Sequence, residues 1–289
     1  MTGDQERPGD QARHHDSIRL TVGAGTDRGL RRELNEDSFV AAAPLFAVAD
    51  GMGGHEAGEV ASRICVETLA EYARERPLGA AQMQQLLADA DRRIRIAAAS
   101  RAGTTVTGAA LVEERGVAYW LVFNVGDSRT YRLSQGKLEQ ISIDHSEVQE
   151  LLESGRITAQ EALVHPRRHV VTRALGTGDD AEPDFWMLPV ESGDRLLICS
   201  DGLTSEVSDA HIYTILNSTE RPQDAVQGLI QAALRSGGRD NITVLVVDAA
   251  LTCEAEQEAT APRHEEEDTN TLPRPVPGQP GEAPTEGEL

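Results

Sequence analysis

Residues 45–55 read Leu-Phe-Ala-Val-Ala-Asp-Gly-Met-Gly-Gly-His, an unbroken apolar run that meets Asp50, then a glycine-rich turn, then His55. The run predicts a buried strand ending on Asp50, which would hold its carboxylate at a rigid rim. A carboxylate placed there calls for a cation. Gly51, Gly53 and Gly54 let the backbone turn sharply and approach whatever Asp50 binds, so that a main-chain carbonyl can join as a ligand. The design recurs in Val125-Gly126-Asp127-Ser128-Arg129, Cys199-Ser200-Asp201-Gly202-Leu203 and Gly237-Gly238-Arg239-Asp240-Asn241. In each, an Asp stands where an apolar run meets a turn.

A lone Asp-Gly is most often just a turn, but four aspartates at the ends of apolar runs, with Glu36-Asp37 beside them, make a set of hard oxygen ligands. With neither paired cysteines nor clustered histidines, that set suits Mg²⁺ or Mn²⁺ rather than zinc. Two such ions can share a water and neutralise a phosphoryl group as it is displaced, so the cluster predicts hydrolysis of a phosphate ester.

The chain has 289 residues, enough for one large domain or two small ones, and a net charge of −21 that works against nucleic acid and anionic membrane surfaces as partners. A metal-dependent nuclease would need a basic groove, which this balance disfavours. No run approaches the roughly 18 apolar residues of a membrane helix, and residues 1–17 lack the apolar stretch of a secretory signal, so a cytoplasmic protein is expected. Cys65, Cys199 and Cys253, with no CxxC pair, fit reduced thiols.

Residues 1–16 are expected to be a disordered polar tail and 17–251 the catalytic domain. A first strand is expected over 18–22, with a turn at 26–29. Two amphipathic helices follow, one carrying Val60, Ile64, Cys65, Leu69 and Tyr72 and the other Met83, Leu86, Leu87, Ala90 and Ile94. Strands are predicted over 104–112, 117–125 and 130–133, arriving without intervening helices and therefore antiparallel. Residues 144–169 break the pattern: helical patches alternate with Gly155 and Pro166, and Arg156, His165, Arg167, Arg168 and His169 make the segment basic, as a flap over an anionic substrate would be. Strands over 170–174, 185–188, 195–199 and 242–247 and helices over 209–216, capped by Ser208, and 222–234 complete the body. Residues 252–289, rich in Glu and Pro, are expected to be a disordered acidic tail.

Taken together, Arg32-x-x-x-Glu36-Asp37, Asp50-Gly51-Met52-Gly53-Gly54-His55, Gly103-Thr104-Thr105, Val125-Gly126-Asp127-Ser128-Arg129, Asp144-His145-Ser146, Thr172-Arg173-Ala174-Leu175-Gly176, Ser200-Asp201-Gly202 and Gly238-Arg239-Asp240-Asn241 resemble the ordered motif series of the metal-dependent serine/threonine protein phosphatases of type 2C, in their bacterial form. The match runs from about 18 to 248. The resemblance implies an α+β fold, a four-layer α-β-β-α sandwich of two mainly antiparallel sheets flanked by helices. It also implies two Mn²⁺ or Mg²⁺ ions, with a third held more weakly, and hydrolysis of phosphoserine and phosphothreonine in proteins by direct attack of a metal-bridging water. The partners it implies are phosphorylated proteins and the Ser/Thr kinase that the enzyme opposes. A monomer is expected.

Roles follow motif by motif as the resemblance implies them. Asp50 would bridge two ions, Asp201 and Asp240 would complete the first, and the Gly51 carbonyl and Glu36 would serve the second. Asp127, with Asp201, matches the weaker third position. Asp37 and Asn241 would orient these ligands from behind. Arg32 would clamp the phosphate. His55, whose unperturbed pKa is about 6.5, would protonate the leaving oxygen. His145 is read as a hydrogen-bonded structural histidine. One departure is visible: four residues after Asp201, where many relatives carry an acid that assists the third ion, this chain has Ser205, with Glu206 beside it. The rival reading is a pseudo-enzyme that binds phosphoproteins without turnover, against which the full set of Asp50, Asp201, Asp240 and Arg32 argues.

Overall fold

A computed structural model describes residues 17–53, 57–73, 79–98, 102–178 and 181–252. The elements in chain order are β1 (Ser17–Asp27), β2 (Asp37–Ala42), β3 (Leu45–Gly53), α1 (Ala57–Ala73), α2 (Ala80–Ala98), β4 (Ala102–Thr104), β5 (Val106–Glu114), β6 (Val117–Val125), β7 (Arg129–Ser134), β8 (Lys137–Gln140), α3 (Glu147–Glu153), α4 (Ala159–Leu163), β9 (Asp184–Pro189), β10 (Arg195–Cys199), α5 (Asp201–Thr204), α6 (Asp209–Ser218), α7 (Pro222–Ser236) and β11 (Ile242–Thr252).

One sheet has the order β1-β11-β10-β7-β8, and the other β2-β3-β5-β6-β9 with β4 added to β3. The pairings are antiparallel. Side-chain alternation explains why the central strands read as unbroken apolar runs: both their faces are covered. On β3, Phe46 and Val48 meet Leu196 and Ile198 of β10 and Leu245 and Val247 of β11 between the sheets. Leu45, Ala47 and Ala49 point the other way, onto Cys65 and Leu69 of α1 and Met83, Leu87 and Ile94 of α2. Across the molecule, Leu197, Cys199, Val244 and Val246 pack on Ile212 and Leu216 of α6 and Val226 and Leu229 of α7. Three apolar layers therefore hold four layers of backbone, the expected α-β-β-α sandwich.

Several local expectations differ. β1 continues through the expected turn to Asp27, because β11 pairs with it along the whole length from Ser17 to Asp27. β3 does not end on Asp50; it changes partners there, leaving β5 after Val48 and taking up β4 from Gly51. Residues 170–174 are not a strand: only single bridges, Ser146 to Val171 and Thr104 to Leu175, hold that stretch. The strand β8 and the one-turn helix α5 were not expected from the sequence pattern. Ser208 does precede α6, but its side chain makes no capping bond. The β5–β6 hairpin turns at Arg115 and Gly116, with φ of 54° and 79°, the left-handed pair a two-residue turn requires.

Register brings the chemistry to one end of the sandwich. Asp37 pairs with Asp50 across β2 and β3, and Cys199 pairs with Val244 across β10 and β11. Asp201 and Asp240 thus stand just beyond the matching end of the second sheet. Asp127 follows the end of β6.

Candidate active site

A cleft of about 640 Å³ opens at this end, and its lining includes Arg32, Glu36, Asp50, Gly51, Asp127, Asp201 and Asp240. Every metal-ligand and phosphate-clamp candidate from the sequence is therefore on one wall or another of a single cavity. His55 lies outside the described residues, as do Gly54 and Glu56.

Asp37 sits behind the cleft and joins the two sheets. Its Oδ2 accepts from Ser200 Oγ at 2.9 Å and from Thr243 Oγ1 at 2.7 Å, while its buried Oδ1 has no partner. Ser200 Oγ in turn accepts from Thr243 N–H. Burial, offset in part by those two hydroxyl bonds and reinforced by Asp201 and Asp240, raises the Asp37 pKa to about 7. Asp50 is half-buried beside Asp37, Asp201 and Asp127, and desolvation followed by their repulsion holds its pKa well above the carboxylate range. Burial and Asp201 lift Asp127 to about 8, and burial with Asp240 raises Asp201. Glu36 is raised too, chiefly by burial, with Arg32 and the Gly58 N–H opposing.

Glycines permit the crowding. A side chain at Gly51 would press into the carbonyl oxygens of Gly58 and Glu36, and Gly51 N–H donates to the Glu36 carbonyl at 3.2 Å. Asn241 fastens the loop that carries Arg32 and Glu36. Its Nδ2 donates to the carbonyls of Arg28 and Leu34 at 3.0 and 2.9 Å, and its Oδ1 accepts from Glu36 N–H at 2.8 Å. Gly202 lies so close that a Cβ there would strike the Asn241 carbonyl.

Two arrangements differ from the expected cage. Arg32 Nη2 donates to Asp240 Oδ2 at 2.7 Å, so the expected phosphate clamp holds an expected ligand. Among the described residues, no three His, Cys, Asp or Glu side chains form a ready-made ion-holding group. Asp240 is turned to the Arg32 guanidinium. That pair is half exposed, with side chains at 49% and 34%, and is worth about 1 kcal/mol or less, so it yields readily to a stronger partner.

The residues present fit divalent cations. An orphaned, buried carboxylate oxygen on Asp37 and four crowded carboxyl groups whose ionisation is suppressed describe a pocket deficient in positive charge. Hard oxygen donors match Mg²⁺ and Mn²⁺. At the expected third position, Ser205 lines the cleft, while the neighbouring Glu206 is committed to Arg239 by bonds of 2.8, 3.0 and 3.1 Å to Nε, Nη2 and N–H. Glu206 therefore does not replace the missing acid.

Reasoning from sequence did not assign roles to Ser200, Thr243 or Thr105. Ser200 and Thr105 stand inside motifs quoted above, and Thr105 Oγ1 accepts from Asp50 N–H at 3.3 Å and bonds Ser128 Oγ at 2.8 Å. From the basic segment 144–169, Arg168 and His169 line the cleft, and His169 Nδ1 is 4.0 Å from Asp201 Oδ2.

The family profile described as Protein phosphatase 2C matches residues 24–240. The serine/threonine protein phosphatase PstP of Mycobacterium tuberculosis is 43% identical over 244 residues, 79% of this chain; the chain spans about half (45%) of that relative's length. The serine/threonine phosphatase stp of Listeria innocua is 38% identical over 242 residues, covering 78% of this chain and 94% of the relative. A crystal structure of the catalytic domain of PstP in complex with two manganese ions superposes with a TM-score of 0.72 at 37% identity, covering 81% of this chain and all of that one.

Proposed function

The chain belongs to the protein phosphatase 2C family, and from that premise we propose that it is a metal-dependent phosphatase acting on phosphoserine and phosphothreonine in proteins. One observation carries the reading: Asp50, Asp127, Asp201 and Asp240, from four separate segments, line one cleft together with Glu36 and Arg32.

Asp50, Asp201, Asp240, Glu36 and the Gly51 carbonyl would hold two divalent cations, Mn²⁺ by analogy with the manganese-bound PstP domain. When bound, these ions supply the charge that offsets the phosphoryl oxygens and acidify a water. The chain's own residues do the rest. Asp37, fixed by Ser200 and Thr243, keeps Asp50 in place from across the β2–β3 pairing. Asn241 holds the loop of Arg32 and Glu36 against the cleft. Arg32, released from Asp240, presents its planar fork to the phosphate. His55 would give a proton to the departing Ser or Thr oxygen. Asp127, with Asp201, would take a weaker third ion, and Ser205 predicts a low affinity there.

The proposed setting is a monomer in the cytoplasm, opposing a Ser/Thr protein kinase and acting on that kinase's products. Cys65 and Cys199 lie buried as free thiols, in keeping with a reducing compartment. No described helix is long and apolar enough to cross a membrane. A catalytic domain over 17–251 with a flap at 144–169 belongs to the same proposal; the tails expected over 1–16 and 252–289 lie outside the described residues, except that β11 takes in Thr252.

The test is phosphate release from phosphoserine and phosphothreonine peptides with manganese and with a chelator. Release that depends on manganese and is lost in Asp240→Asn is expected. A folded chain that binds the peptides with manganese present but releases nothing would be a pseudo-enzyme.

A further inference from the structure

His145 is a buried titratable residue to which the proposed chemistry gives no task; it is 5% exposed. It grips Gly126 twice. Its backbone N–H donates to the Gly126 carbonyl at 2.9 Å, and its ring Nδ1 accepts from Gly126 N–H at 3.1 Å. Asn124 Nδ2 adds a second donor to the same carbonyl at 2.9 Å. Gly126 has φ of +109°, and a side chain there would collide with Thr105. The residue before Asp127 therefore has a conformation that its own sterics do not select, and outside contacts must hold it.

The remaining bonds of His145 fix its own orientation. Its carbonyl accepts from Thr172 N–H at 2.8 Å, where the chain returns from the flap. Its Nε2 lies 3.1 Å from Asp184 Oδ2 on β9, and Arg173 Nη1, 3.4 Å from Nε2, donates to the other oxygen of the same carboxylate, Asp184 Oδ1, at 3.3 Å. Because Gly126 N–H must donate into Nδ1, the ring is neutral and carries its proton on Nε2, where Asp184 accepts it. Burial, which lowers the His145 pKa, favours the same state.

We propose that His145 is a positioning residue for Asp127: by holding both polar groups of Gly126 it sets the direction from which the Asp127 carboxylate enters the cleft. Rotation of that peptide would swing the carboxylate away from Asp201, its neighbour on the cleft wall. The proposal rests on reading Asp127 as a ligand of a weaker third ion. Residues that orient metal ligands typically change metal affinity about 10–100-fold when removed.

Two substitutions separate positioning from simple packing. His145→Asn keeps an acceptor near the Nδ1 position and loses the Asp184 contact. His145→Gln reaches the Nε2 position and loses the acceptor for Gly126. Manganese titration by calorimetry and electron paramagnetic resonance, with thermal melts and a kcat-against-KM split alongside, gives the readout. His145→Gln is expected to weaken the weakest class of manganese by about tenfold or more, with the tighter pair unchanged, and His145→Asn to retain most of the wild-type affinity. Equal weakening in both variants, or none in either, overturns the proposal. Nitrogen chemical shifts of the His145 ring in the wild-type chain provide a check that needs no variant to fold. The Nε2–H tautomer is expected, and Nδ1–H would overturn the proposal. A wild-type chain with a tight manganese pair and no weaker class overturns the role of Asp127 itself, and this inference with it, while leaving the two-ion phosphatase standing.

Discussion

Arg32 Nη2 donates to Asp240 Oδ2 at 2.7 Å across the mouth of the cleft, so the residue proposed to grip the phosphate and a residue proposed to hold a cation bind each other. The contact couples the two tasks: whatever draws Asp240 inward frees the guanidinium for substrate. Arg32→Ala is therefore expected to lower kcat/KM on a phosphoserine peptide about 10–100-fold, the loss of charge-assisted hydrogen bonds worth about 1.5–3 kcal/mol. Manganese affinity should be maintained or improved, because Asp240 loses a competitor. Arg32→Lys should recover only part of the activity, having no planar fork. Peptide kinetics and calorimetry check both, and unchanged kcat/KM in Arg32→Ala would remove the clamp.

The crowded carboxyl groups make stability depend on pH. In the folded chain burial and mutual repulsion raise Asp37 to about 7 and Asp127 to about 8, from an ordinary value of 3.8. A raised carboxyl favours the folded state fully below about 3.8, and that contribution is lost as pH rises through the folded value. In a chelator the melting temperature should fall between about pH 5 and about pH 8. Manganese, which binds the ionised carboxylates, should raise it more at the upper end. A melting temperature in chelator that is flat or rising over this window would contradict the account of the cluster.

Gly51→Ala is expected to damage both fold and site. Its Cβ would press into the carbonyls of Gly58 and Glu36, which are backbone and cannot swing aside. Overpacking of this kind typically costs about 1–3 kcal/mol, and here it would push Glu36 from the cleft. Reduced thermal stability with loss of manganese-dependent turnover is the expected pair of results. Wild-type turnover in the variant would remove the tight approach at Gly51 from the account.

His55→Ala should slow hydrolysis of a phosphoserine peptide far more than that of p-nitrophenyl phosphate, whose leaving group departs without a proton. Rates on the two substrates decide it, and equal losses would rule out an acid role.

The apolar runs that end near Asp50, Asp127, Asp201 and Asp240 were readable because buried strands have a plain signature, and β10 was found to the residue. Where the chain's partner decides the outcome, sequence misled. Residues 170–174 look like a strand, yet no neighbour pairs with them beyond single bridges. β1 runs past its expected turn because β11 continues beside it to Asp27. The role of Asp37 depends on Ser200 and Thr243, 163 and 206 residues away, and the Arg32–Asp240 bond spans 208 positions. No local pattern contains such pairs. The sequence marks His145 as structural, and only the geometry shows which peptide it holds.

Anomalous diffraction at the manganese edge from crystals grown with the metal tests the central claim most directly. Two peaks are predicted, flanking the Asp50 carboxylate, one within reach of Asp201 and Asp240 and the other of Glu36 and the Gly51 carbonyl. Peaks bound elsewhere, or a cleft that stays free of manganese while Arg32 keeps hold of Asp240, would contradict the account.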